Sequence, residues 1–168
     1  MPENLEIKTK ISNPASTVQI AESLGATDKG DLMHVDTYFN VRFGRLKLRE
    51  INSEEFELIF YNRDERSPQR LSHFDIYPVH SPQMLMQILS SSLGILGRVE
   101  KTRKLFQYNL TRIHLDTVAQ LGTFLEFETA VSESTKAAKK ELTMLMKIFN
   151  VSQEDCFLHS YIDLIAGR

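Results

Sequence analysis

From Arg45 to Arg49 the chain reads Arg-Leu-Lys-Leu-Arg. In an extended strand residues two apart share a face, so Arg45, Lys47 and Arg49 stand on one surface while Leu46 and Leu48 stand on the other. The same parity groups Lys101 with Arg103 and aligns Arg112, His114 and Asp116. It also pairs Glu126 with Glu128 and sets Glu6 beside Lys8. Nearly every strong strand in the sequence therefore carries a charged stripe, and the fold must find a place for all of them.

The remaining pattern fits an antiparallel sheet with helices outside it. Leu5 to Ile11 reads as a first strand. Asn13-Pro14 then caps and opens a helix whose stripe, Val18, Ile20, Ala21 and Leu24, stops at Gly25. Met33 to Val41 and Arg45 to Ile51 are strands joined at Arg42-Phe43-Gly44; Phe56 to Arg63 and Leu71 to Val79 follow, separated by the polar stretch Asp64 to Pro68. Ser81-Pro82 repeats the cap-then-proline signal before Met84, Leu85, Ile88, Leu89 and Leu93, the apolar face of a second helix closed by Gly94. Arg98 to Tyr108, Thr111 to Val118 and Phe124 to Val131 are strands, Ser134 to Phe149 is helical, and Tyr161 to Ile165 is a short apolar end. The two halves run in similar order, a hint of pseudo-repetition without a sequence period. The expected class is α+β: an antiparallel barrel of roughly eight strands in a single domain spanning 1–168, its outer face covered by the helices.

Bulk properties narrow the function classes. With 168 residues and 42% hydrophobic composition, the chain can bury a core without staples. A net charge of -2 advertises neither nucleic acid nor membrane as a partner, and no apolar run is long enough to span a bilayer. The single cysteine, Cys156, excludes an internal disulfide and a thiolate metal cluster. A cytoplasmic protein, monomeric or homodimeric, is the expectation.

The charged stripes have two readings. Each strand alone fits the wet face of an antiparallel sheet. Segregation by sign argues against that, because Arg45-Lys47-Arg49 is purely basic and Glu126-Glu128 purely acidic, and like charges side by side cost stability unless a ligand offsets them. Convergent guanidinium and ammonium groups suit the oxygens of a polyphosphate. Neighbouring carboxylates suit Mg2+ or Mn2+, which prefer oxygen ligands and bridge to substrate phosphates. A sheet curled into a barrel would bring the two sets together.

Several motifs together resemble the CYTH family, the triphosphate tunnel metalloenzymes, which include class IV adenylyl cyclases, thiamine triphosphatases and inorganic tripolyphosphatases. Leu5-Glu6-Ile7-Lys8 looks like the family's N-terminal E-x-E-x-K signature, Arg45 to Arg49 like its basic strand, and Val99 to Arg103 like its second basic strand. Thr111 to Asp116 and Leu121 to Glu128 look like the late hairpin, and Ser160 to Leu164 like the terminal element. The combination is most similar to the class IV adenylyl cyclase-like branch. The resemblance implies that Lys8, Arg45, Lys47, Arg49, Lys101, Arg103 and Arg112 grip a triphosphate. It implies a metal held by Glu6, Glu126 and Glu128, and catalytic work for Lys8, Arg112 and Asp116, the last joining the metal or holding Arg112. Two positions depart from the pattern: Asn4 stands where the first acid belongs, with Glu3 facing the other way, and Arg63 stands where relatives often have lysine.

Other residues carry plainer expectations. His114 fits a histidine satisfied by a neighbouring carboxylate as well as a phosphate ligand or base. His34 is expected at the rim, with contact to a nucleobase as the alternative. Tyr38 and Phe39 are expected to pack, Tyr61 to place its hydroxyl in the core or at the rim, and Lys136, Lys139 and Lys140 to form a solvated helix face. The reaction depends on the nucleophile. Water attacking the terminal phosphorus makes a phosphohydrolase, the first expectation. The ribose 3′-hydroxyl of ATP attacking the α-phosphorus makes a cyclase, and a catalytically weak nucleotide- or polyphosphate-binding module is the third reading.

Overall fold

Closing the sheet gives every charged stripe an inside to face. In the computed structural model, which describes residues 2–63, 69–132 and 134–167, eight strands form a closed antiparallel barrel in the order β1-β5-β4-β3-β2-β6-β7-β8. The strands are β1 (Glu3–Lys10), β2 (Thr27–Phe39), β3 (Arg45–Ile51), β4 (Glu55–Arg63), β5 (Arg70–Pro78), β6 (Ile95–Tyr108), β7 (Thr111–Val118) and β8 (Gly122–Ala130). The helices are α1 (Pro14–Ser23), α2 (Pro82–Leu93), α3 (Thr135–Ile148) and α4 (Tyr161–Ile165). Closure is made by β8 on β1, where Glu6 stands opposite Glu128 and Lys8 opposite Glu126.

Alternation divides each strand between two environments. On the outside, Leu5 and Ile7 of β1, Phe106 of β6, Ile113 and Leu115 of β7 and Leu125 and Phe127 of β8 join Ala138, Leu142, Leu145, Met146 and Phe149 of and just after α3. Ala21 of α1 completes this core. Each fully buried large side chain here is worth about 1.5–3 kcal/mol relative to exposure. A second cluster, Tyr38, Val99, Val118, Phe124, Tyr161 and Ile162, fastens α4 to the barrel. Gly97 makes room for it: a Cβ there would stand 2.6 Å from Ile162 Cδ1.

Three features differ from the sequence expectation. β2 begins at Thr27 and β6 at Ile95, so the two pair over a long two-stranded ribbon. The first six residues of β2's edge, Thr27 to Leu32, are exposed or half-buried, and the alternation there is too polar to mark a strand. α2 does not cover the barrel as its apolar stripe suggests: none of its residues is buried, and Met84 and Ile88 are 60% and 54% exposed. Ser81 makes no side-chain cap bond, whereas Asn13 accepts from the Ser16 amide at 3.1 Å as its position predicts. The stretch Asp64 to Pro68 lies outside the described residues. No helix among the described residues is long and apolar enough to cross a membrane.

Candidate functional site

The inward faces enclose a cavity of about 260 Å³ that runs along the barrel axis. At one end α4 lies across it. The Tyr161 hydroxyl donates to Asp116 at 3.0 Å, and Arg45 Nη2 reaches Asp163 Oδ1 at 2.9 Å. Asp163 in turn accepts from the Ser160 amide and hydroxyl, a capping box that fixes the start of α4. At the other end Leu32, Ile51 and Leu105 line the cavity beside Arg112, whose side chain is 42% exposed.

The basic wall is built twice from the same parts. On β3, Lys47 Nζ donates to Asp36 Oδ2 at 2.8 Å, and Arg49 forks onto both oxygens of Asp36 at 2.7 and 2.8 Å. On β6, Lys101 Nζ donates to Asp116 Oδ2 at 2.8 Å, and Arg103 forks onto both oxygens of Asp116 at 2.7 Å. In each case the acid comes from the adjoining strand, directly opposite the arginine in register. Bidentate pairing holds a guanidinium in one orientation, so Asp36 and Asp116 act as anchors for the cations. Although burial pushes the other way, Arg49 and Lys47 hold the Asp36 carboxyl well below its ordinary range, and Arg103 and Lys101 do the same to Asp116. Burial, with Arg49 beside it, draws Lys47 down to about 7; burial draws Lys8 down to about 8 against the pull of Glu126.

The acidic wall stands on β1, β7 and β8, across the cavity from β3 and beside β6. His114, Glu126 and Glu128 bring ligand atoms within 4.8 Å of one another. Lys8 Nζ lies 3.4 Å from Glu126 Oε1 and 3.8 Å from the Tyr161 ring centroid, and Arg103 reaches Glu126 Oε2 at 2.9 Å. Arg112 Nη2 donates to Glu128 Oε2 at 2.7 Å. Glu6, opposite Glu128, is pushed above its ordinary pKa first by burial and then by Glu128, with Arg63 at 3.6 Å opposing the shift. A buried carboxylate, Glu6, facing a half-buried one, Glu128, asks for a cation between them.

One face of the cavity thus offers anchored cations to an oxyanion chain, and the facing one offers carboxylates and an imidazole to a hard metal ion. Residues 3–161 match the family model for the CYTH domain. The chain belongs to the CYTH family. A protein of Methanocaldococcus jannaschii named "Putative adenylate cyclase MJ0240" is 22% identical over 171 residues, covering 95% of this chain and 97% of that one. Among solved structures, the PH1012 protein of Pyrococcus horikoshii superposes with a TM-score of 0.87 at 21% identity, covering 96% of this chain and 98% of its own. A Hippeastrum protein described as a "putative adenylyl cyclase" with a dominant triphosphatase activity superposes at 0.72 with 12% identity, covering 100% of this chain and 97% of its own. These likenesses establish the tunnel fold.

Within this CYTH tunnel the structure brings Glu6, Lys8, Lys47, Arg49, Lys101, Arg103, Arg112, Glu126 and Glu128 to the cavity wall. Arg45 does not join the cavity wall: one residue pair beyond Lys47, its guanidinium turns to Asp163 under α4. Asp116 holds Arg103 and Lys101, and the partner of Arg112 is Glu128. Asn4 faces the cavity and, with its amide oxygen toward β7, accepts from Arg112 Nη2 at 3.1 Å, while Glu3 pairs outside with His73. Arg63 lines the cavity beside Glu6. His34 sits inside, 3% exposed, and not at the rim; Tyr38 and Tyr61 also line the wall and hydrogen-bond to each other. Lys136, Lys139 and Lys140 are exposed on α3 and apart from the tunnel. Sequence reasoning passed over Asp36 and Tyr161. A signal for Asp36 was present: it is an acid in parity with His34 and Tyr38 on the strand preceding the basic stripe. For Tyr161 the signal is only the likeness of the segment Ser160 to Leu164 to the family's terminal element, which does not announce where its hydroxyl docks.

Proposed function

We propose that this chain, acting as one tunnel domain, is a divalent-metal-dependent enzyme that hydrolyses a triphosphate-bearing small molecule. The observation that carries this reading is the pair of lysine-arginine-aspartate modules facing an acidic wall across a cavity closed by α4. Lys47, Arg49, Lys101 and Arg103 are held in fixed directions before any ligand arrives, so their electrostatic stabilisation of a phosphoryl group requires little reorganisation. Lys8 and Arg112, each beside an acidic-wall carboxylate, are placed to bind the phosphates that bridge the two walls.

The acidic donors fit a hard divalent ion, Mg2+ or, given the imidazole of His114, Mn2+. Glu126, Glu128 and Glu6 would hold it, with His114 within reach. When bound, such an ion polarises phosphoryl oxygens and offsets the charge that gathers on them. The chain's own part is to hold the triphosphate in line, to keep the site enclosed through α4, and to present Glu128 and Glu6 near a water entering from the mouth.

Hydrolysis is favoured over cyclisation because it needs only a positioned water. At the mouth the aliphatic side chains Leu32, Ile51 and Leu105 share the lining with Asn4, Glu57 and Arg112. The dominant triphosphatase activity described for the Hippeastrum protein supports the same choice. The cyclase reading draws on the name of the Methanocaldococcus protein. Incubating the pure protein with ATP, inorganic tripolyphosphate and thiamine triphosphate, with Mg2+ or Mn2+, separates them. Orthophosphate release is expected; cyclic AMP with pyrophosphate would establish the cyclase instead, and binding without turnover would leave a binding module.

A further inference from the structure

His34 is a buried polar group of the tunnel that the proposed chemistry leaves unused. It is 3% exposed, it lines the cavity, and neither ring nitrogen has a hydrogen-bond partner among the described residues. A buried imidazole left this way costs stability unless a partner arrives. In register it stands opposite Ile51 of β3 and Lys101 of β6, between the anchored cations and the aliphatic mouth.

Its surroundings define the missing partner. Arg49 faces it from β3, Lys101 and Arg103 from β6, and Asp36 from its own strand; burial and then these cations drive its pKa down to about 2. The ring is therefore neutral, with one N–H donor and one acceptor nitrogen. The nearby acceptor, Asp36, is already taken by Lys47 and Arg49. What the N–H lacks is an acceptor, and whatever supplies one must tolerate three cations.

We propose that His34 is a substrate-binding residue whose imidazole N–H donates to a non-bridging oxygen of the phosphate chain, at the phosphate nearest the mouth. This rests on the triphosphate reading of the tunnel and assigns within it a neutral donor that the basic stripes do not include. The phosphate chain brings the acceptor that the free protein withholds, and its negative charge is what the flanking cations require.

The test is calorimetric titration with inorganic tripolyphosphate, with and without Ca2+, of the wild type, His34→Leu and His34→Gln. The Leu variant is expected to bind about tenfold to a hundredfold more weakly, and the Gln variant, whose amide N–H restores a donor, to stay within about threefold. In 15N-histidine-labelled wild type, the His34 ring resonance, identified by its loss from the Leu variant, should move on saturation. A Leu variant that binds as tightly as wild type, a Gln variant as weak as the Leu one, or an unmoved resonance would overturn the assignment. Lys47→Met separates the two claims. If it weakens binding while His34→Leu does not, the role of His34 alone fails; if the wild type binds tripolyphosphate under neither condition, the triphosphate reading fails with it.

Discussion

Lys47 shows what the tunnel costs the free protein. The residue is 8% exposed and shares the cavity with Arg49 and Lys101, and its pKa falls from 10.5 to about 7. Between those values the unfolded chain binds the proton that the folded chain has released, so stability rises with pH across that window; below about pH 7 the burial of the charge is felt in full. Lys47→Met should therefore raise the melting temperature at pH 6 and lose that advantage toward pH 10, while weakening tripolyphosphate binding about tenfold or more. Thermal melts and titrations on one preparation check both, and a variant that loses stability at pH 6 would contradict the account. Glu128 answers the opposite question. Glu128→Gln keeps the side chain's size and removes its charge, so turnover should fall by at least about a hundredfold with triphosphate affinity retained, read by phosphate release and calorimetry. At this scale much was legible, because parity along a strand names the residues that share a face. What parity leaves open is where along the barrel a face meets the cavity: Arg45 obeys the same alternation as Lys47 and Arg49, yet stands under α4 because that helix carries Asp163.

The elements divide by whether their stability is local or borrowed. β3, β7 and β8 lie close to their expected limits since their alternation is strict and turns bound them, whereas β2 and β6 extend into a ribbon whose outer half is held by pairing rather than by burial. α2 misleads for the converse reason: its stripe is apolar, but Leu85, Leu89 and Leu93 are only half-buried and Met84 and Ile88 are exposed. α4 depends on a few contacts, chiefly the Ser160-Asp163 capping box, the Arg45 bridge and the Tyr161 hydroxyl on Asp116. Asp163→Ala removes the first two together and should destabilise the protein by about 1–2 kcal/mol in urea unfolding. Turnover should fall with it if the helix closes the tunnel; unchanged stability and activity would show that α4 is held by its apolar contacts alone.

For the whole molecule, closure of the sheet turns scattered stripes into a site. The Lys-x-Arg strands lie at positions 47–49 and 101–103, and their anchoring acids at 36 and 116 flank them in opposite sequence order. No period in the chain reveals this pairing, because the strand order brings β2 beside both β3 and β6 and so joins the two modules into one wall. The acidic wall has the same origin, with β8 closing on β1 to set Glu128 against Glu6. The most direct measurement is a crystal structure of the protein grown with Mn2+ and inorganic tripolyphosphate, using the anomalous signal of manganese to place the ion. The account predicts a manganese peak among Glu6, Glu126, Glu128 and His114, with phosphates running past Lys47, Arg49, Lys101 and Arg103. Phosphate bound outside the barrel, or manganese held only by surface carboxylates, would contradict it.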